Sequence, residues 1–187
     1  MPPRLAGRFA AVLLVAAVSQ LATLPAQAAP RHGCEGADAR PGEASYAELG
    51  RATLCLVNRE RRRRGLRTLR ADWRLALAAR RHAADMVRHS YFSHDSRSGA
   101  RFSTRIARAG YLRGVASWRA GENIAWGAGR RSTPHRIVRS WMDSSGHRAN
   151  ILTAGYRDLG VGVVAGAPVA RRYDVEATYV HDFGVRR

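Results

Sequence analysis

Two stretches decide the reading of the fold: Gly121-Glu122-Asn123-Ile124-Ala125-Trp126-Gly127, and Trp141-Met142-Asp143-Ser144-Ser145-Gly146-His147-Arg148-Ala149-Asn150-Ile151-Leu152. The first is a short apolar segment between glycines, with a carboxylate at its head, and reads as a strand or a turn. The second begins inside a helix that Thr133-Pro134 opens, with Thr as the cap and Pro at the first helical position. Ile137, Val138, Trp141 and Met142 line the inner face of that helix, and Gly146-His147 reads as the turn after it. Downstream lie two strand candidates, Leu159 to Val164 with glycines at 160 and 162, and Ala177 to Phe183, where Thr178, Tyr179 and Val180 favour extended backbone. Helices precede strands and no βαβ alternation occurs, which points to an α+β fold with an antiparallel sheet rather than a doubly wound one.

Upstream, the pattern is helical. Ser45 can cap a helix, with Glu48 completing a capping box. Leu49, Ala52, Cys55, Leu56 and Val57 form its apolar stripe. This helix should end near Gly65, and its last turns, Glu60-Arg61-Arg62-Arg63-Arg64, read as a solvated basic end that suits the dipole. Asp72 caps a second helix, whose core face is Leu75, Ala76, Ala79, Ala83, Met86 and Val87 and which should run to about Tyr91. A third helix, Ser103 to Ala109, should stop at Gly110.

The chain has 187 residues, enough for one well-filled domain. Arg4 and Arg8, the apolar run from Phe9 to Val18 and the small-residue exit Ala26-Gln27-Ala28 predict a signal peptide over residues 1–28. An arm follows over 29–44, then one domain over 45–187. The formal net charge of +18 would fall to +16 on loss of the two leader arginines. All the basic side chains other than histidine are arginine. Such a protein should adhere to anionic envelope polymers or lipid headgroups. Export and the absence of a recognition motif argue against nucleic acid, and a monomer is expected. In an oxidising compartment Cys34 and Cys55 should pair, stabilising the fold by about 3 kcal/mol in the loop-entropy account.

His94 in Tyr91-Phe92-Ser93-His94, His147 beside Gly146, and Glu122 between Gly121 and Asn123 supply two imidazoles and a carboxylate. That set suits a divalent ion such as zinc or acid/base work by Glu122 and His147. The three lie on different elements, so spacing alone does not bring them together. His181 has a minor claim to the cleft. Asn123 and Asn150 are expected to bond turn backbones, Arg148 to pair with a carboxylate or a helix end, and Tyr91, Phe92, Trp126 and Trp141 to build core or cleft wall.

These segments, taken in order with Cys55-Leu56-Val57-Asn58-Arg59-Glu60-Arg61, Arg105 to Tyr111, Gly160-Val161-Gly162-Val163 and Tyr179 to Gly184, resemble the bacterial branch of the CAP superfamily (cysteine-rich secretory, antigen 5 and pathogenesis-related-1 proteins; SCP-like extracellular domains). The resemblance spans about residues 34–184. It implies a three-layer α-β-α sandwich around a small, mainly antiparallel sheet, with His94, His147 and Glu122 in a cleft. Asp143 lies in the neighbourhood where the eukaryotic branch commonly carries a second glutamate and is the candidate fourth member. The function implied is a secreted or wall-associated binding module. The alternatives are a metal-dependent or Glu/His hydrolase, although no G-x-S-x-G or H-E-x-x-H occurs, and a structural envelope or spore-associated protein.

Overall fold

A computed structural model describes residues 33–169 and 175–187. The expected leader and the first residues of the arm lie outside the described residues. Helix α1 (Tyr46–Arg62) starts from Ser45, whose hydroxyl accepts from the Glu48 amide while the Glu48 carboxylate accepts from the Ser45 amide, the reciprocal box the sequence implies. Helix α2 (Trp73–Arg88) starts from Asp72, which accepts from the Arg74 and Leu75 amides. It stops short of Tyr91, because Ser90 takes a left-handed φ of 51° and turns the chain out. Helix α3 (Phe102–Arg108) is short, and Gly110 follows it with φ 86°.

Four strands form one sheet in the order β1-β3-β4-β2. Strand β2 (Trp118–Ala128) is longer than the apolar core of its motif. It pairs antiparallel with β4 (Glu176–Arg186), which pairs antiparallel with β3 (Asp158–Ala165). The two-residue β1 (Arg70–Ala71), too short for any sequence pattern, adds one parallel pairing to β3. The architecture is α+β with a mixed, mainly antiparallel sheet.

Strand alternation sorts the side chains between two helical layers. On one face Leu159, Val163, Tyr179 and Phe183 pack with Leu49, Leu56 and Val57 of α1, with Ile137, Val138 and Trp141 of α4 (Pro134–Asp143), and with Ile151. On the other, Ile124 and Val180 pack against Ala79, Ala83 and Met86 of α2. The glycines at 160 and 162 allow α2 to lie directly on β3: a Cβ on Gly162 would stand 2.3 Å from the Arg80 amide nitrogen, far inside van der Waals contact.

Three expectations are corrected. Gly146-His147 is no turn but the first turn of a further helix, α5 (Ser145–Leu152), for which Ser144 is the cap position. The basic end of α1 is not wholly solvated, since Arg61 is fully buried. Its guanidinium donates to the carbonyls of Arg67 (2.8 Å), Ile151 (2.7 Å) and Thr153 (3.0 Å), so a charge from α1 satisfies the open carbonyl end of α5. Of the cleft-wall aromatics, Trp141 is buried, Tyr91 is half-buried, and Phe92 and Trp126 are exposed. The cysteines do form the Cys34–Cys55 disulfide, and the arm is also tied to α4 where the His135 amide donates to the Ala37 carbonyl at 2.8 Å.

Candidate functional site

Because β2 is an edge strand, its residues can be reached from both layers. Glu122 points to the α2 side, its side chain only 1% exposed. One carboxylate oxygen accepts from Arg105 Nη2 of α3 at 2.6 Å, and the other from His94 Nδ1, in the loop after α2, at 2.8 Å. A carboxylate only accepts, so Nδ1 carries the proton and Nε2 keeps its lone pair when the ring is neutral. The His94 side chain is half exposed, at 51%. Arg105 is held in turn by Ser96 Oγ and the Ala100 carbonyl, both from Nη1.

His147 comes from the opposite layer, on α5. The Asn123 amide donates to the His147 carbonyl at 3.0 Å, and Asn150 donates to the Glu122 carbonyl at 3.1 Å and to Asn123 Oδ1 at 2.9 Å. The two asparagines therefore do not bond turns; they lace α5 to the edge strand, supplying partners that an edge otherwise lacks. Gly121 permits this approach, since a Cβ there would sit 2.7 Å from Asn150 Oδ1. His147 Nδ1 pairs with Ser144 Oγ at 3.0 Å. Burial first, and then the nearby charge of His94, lower its pKa, which keeps it a neutral imidazole at neutral pH. His94 and His147 thus flank the β2 edge from opposite layers, near enough for a charge on His94 to act on His147, with Glu122 bonded to His94.

The other candidates lie elsewhere. Asp143 is exposed at the end of α4 and lines a separate depression with Glu60, Arg139 and Arg148. This corrects its assignment as a fourth cleft member: it ends α4 on the side facing α1, and its carboxylate has no hydrogen bond to Glu122, His94 or His147. Arg148 donates to the Met142 carbonyl at 2.7 Å, at the end of α4. His181 is fully buried on the α4 side, its ring 4.4 Å from that of Trp141, and is a core residue.

Two members of the cluster were not among the sequence candidates. One is Arg105. The other is Asp182, 1% exposed, the register partner of Glu122 on β4. Burial first, then the Glu122 charge, push its pKa well above the usual carboxylate range, favouring the protonated form of Asp182 beside Glu122. The signal for Asp182 was alternation: it lies two residues from Val180, on a face where only apolar residues are expected.

The donor chemistry tests the metal expectation. Two imidazoles are good ligands, but both Glu122 oxygens are engaged by Arg105 and His94. Among the described residues, no group of three His, Cys, Asp or Glu side chains is disposed to hold an ion. Glu122 is placed as the carboxylate that orients His94, and the residues do not fit a His94–His147–Glu122 ligand triad.

A helical layer on each face of a small mixed sheet, with His94 bonded to Glu122 of the β2 edge from one layer and His147 carried by α5 on the other, defines an SCP-type domain. The chain belongs to the Cysteine-rich secretory protein family, CAP, whose model matches residues 54–175. In solved structures, it is similar to an extracellular protein containing a SCP domain from Bacillus anthracis, with a TM-score of 0.60 and 32% identity, over 76% of this chain and 41% of that one. An outer surface protein from Borrelia burgdorferi shares the fold, with a TM-score of 0.62 at 19% identity, over 77% of this chain and 97% of that one. Among curated relatives, it is 39% identical over 110 residues to YkwD of Bacillus subtilis, covering 58% of this chain and 40% of YkwD. It is also 36% identical over 110 residues to the membrane protein YlbC of the same organism, covering 59% of this chain and 30% of YlbC. The matches therefore span less than half the length of these two curated relatives. No helix among the described residues is long and apolar enough to cross a membrane.

Proposed function

We propose that the protein is a secreted binding module that presents the imidazoles of His94 and His147 at the β2 edge and works at the cell envelope. The observation that carries this reading is the Glu122–His94 bond, which fixes the His94 tautomer and leaves its Nε2 at a half-exposed edge beside His147. Nε2 of His94 and the imidazole of His147 would hold a zinc ion, with water or a captured ligand completing its coordination. Glu122 would stay in the outer sphere and hold the ring. The basic surface favours anionic polymers or lipid headgroups as the wider partner. The hydrolase reading is less well served: both Glu122 oxygens already accept, from Arg105 and His94, and the side chain is only 1% exposed, so it is not placed to take a proton from a water.

Calorimetric zinc titration of the metal-stripped protein tests this. One-site binding is expected, lost in His94→Ala and His147→Ala and weakened about 10–100-fold in Glu122→Gln, the usual effect of losing an outer-sphere partner. A folded wild type that takes up no zinc, or histidine variants that bind as the wild type does, would overturn the ion-binding reading.

A further inference from the structure

A second site shares Arg105 as part of its wall and is not lined by Glu122. Helices α2 and α3 face one another there across a cavity of about 280 Å³. On α2, Ala78, Arg81, His82 and Asp85 recur at helical spacing on one stripe. On α3, Arg105 and Arg108 do the same, and Ala109 follows at the C-cap. All of them line the cavity, and the two alanines leave the space open. Ser96 and Ser98 reach it from a loop closed on itself by bonds from the Ser96 amide to the Ala100 carbonyl (2.9 Å) and from the Gly99 amide to the Ser96 carbonyl (2.8 Å).

The charge is one-sided. Arg81 and Arg108 are exposed, and neither has an acidic partner among the described residues. Arg105, 10% exposed, is held rigidly by Ser96, Ala100 and Glu122 through its two terminal nitrogens, and its Nε is buried without a partner among the described residues. The one acid on the wall, Asp85, already accepts from the Tyr91 hydroxyl at 2.5 Å and pairs with His89 at 2.9 Å. Burial keeps His82 neutral at neutral pH.

We infer that this α2–α3 cavity binds the phosphate group of an extracellular ligand, with Arg81 and Arg108 clamping it over the fixed floor of Arg105. The two exposed guanidiniums of Arg81 and Arg108 and the two serine hydroxyls offer more donors than the two oxygens of a carboxylate can accept, and they match a tetrahedral anion of three or four oxygens. The volume exceeds that of phosphate alone, leaving room for the first atoms of an attached alcohol. A free phosphate and the phosphoryl end of an envelope polymer share this chemistry.

Calorimetry on the purified protein at moderate salt decides the matter, with inorganic phosphate, glycerol 3-phosphate and acetate as probes. The site predicts saturable one-to-one binding of both phosphates and none of acetate; tighter glycerol 3-phosphate marks an esterified source, and equal affinity marks the free anion. Arg81→Gln with Arg108→Gln should weaken phosphate at least tenfold, with the melting temperature and zinc titration unchanged. Arg63→Gln with Arg139→Gln, which removes the same charge elsewhere, should leave phosphate binding intact. No saturable binding, binding unchanged in the first pair, or equal loss in both pairs would overturn the proposal, the last by reducing it to net charge.

Discussion

Glu122 and Asp182 face each other across the β2–β4 pairing, one carboxyl held by Arg105 and His94 and the other enclosed and protonated. Two carboxylates this close in a buried layer cannot both ionise cheaply, so the fold keeps a proton on the one farther from the arginine. Arg105, bonded to Glu122 at 2.6 Å, is the cation this buried pair of carboxyl groups is built around.

The pair makes stability depend on pH in a direction that can be read out. The folded chain keeps a proton on Asp182 that the unfolded chain releases above about pH 4, so stability falls as pH rises from there. Asp182→Asn cannot ionise. Urea unfolding should show the difference between this variant and the wild type moving in the variant's favour from pH 5 to pH 8; parallel curves would mean that Asp182 is already ionised in the fold.

His181 acts with the opposite sign. Burial lowers its pKa to about 3, against about 6.5 unfolded, and neither ring nitrogen has a partner among the described residues. The unfolded chain binds a proton that the folded chain refuses. Stability is thus complete above about pH 6.5 and lost as pH falls toward 3, by about 2 kcal/mol at pH 5. His181→Leu, similar in volume and with no polar atom to bury, should remove this slope in urea titrations at pH 7 and 5.

Removing the charge on Glu122 leaves a buried guanidinium unbalanced. Glu122→Gln should lower unfolding stability by about 3 kcal/mol, as for other broken buried pairs. In a double-mutant cycle with Arg105→Gln, the double variant should lose less than the two single changes together. Strict additivity would show that the 2.6 Å contact contributes nothing.

Two glycine-to-alanine changes should move stability in opposite directions. In Gly162→Ala the new Cβ would stand 2.4 Å from the Ala79 carbonyl carbon and push α2 off β3, at a cost of about 2–3 kcal/mol. Gly50 lies within α1, where an added Cβ meets nothing nearer than Val161 Cγ1 at 3.6 Å. Gly50→Ala should stabilise by about 0.5–1 kcal/mol through helix propensity. Thermal unfolding of the two variants beside the wild type reads both signs.

The disulfide closes a loop with a sequence separation of 21. Replacing both cysteines by serine should remove about 3 kcal/mol, lowering the melting temperature by several degrees, with α1 still formed because its capping box does not depend on the bridge. Circular dichroism during melting separates the two effects.

What the sequence determined by itself was local or periodic. Ser45 with Glu48, Asp72, and Thr133-Pro134 mark helix starts because each cap bonds an amide two or three residues away. The stripes of α1, α2 and α4 follow from the 3.6-residue period. The strand propensity of Thr178, Tyr179 and Val180 in β4 is legible in the same local way, as are the motif residues His94, Glu122 and His147. Tertiary structure alone decided which of these meet and what they do on meeting. The β2–β4 register sets Asp182 beside Glu122, and α3 carries Arg105 onto the same carboxylate, turning a candidate ligand into the residue that orients His94. Docking of α5 against α1 buries Arg61, a residue that its run of charged neighbours marks as exposed. Asp143, adjacent to the motif in sequence, ends up outside the cleft because α4 terminates on the α1 side. Each of these outcomes depends on contacts between residues far apart in the chain, where no local propensity or period carries information, and only the packing of helices on a registered sheet selects the pairing.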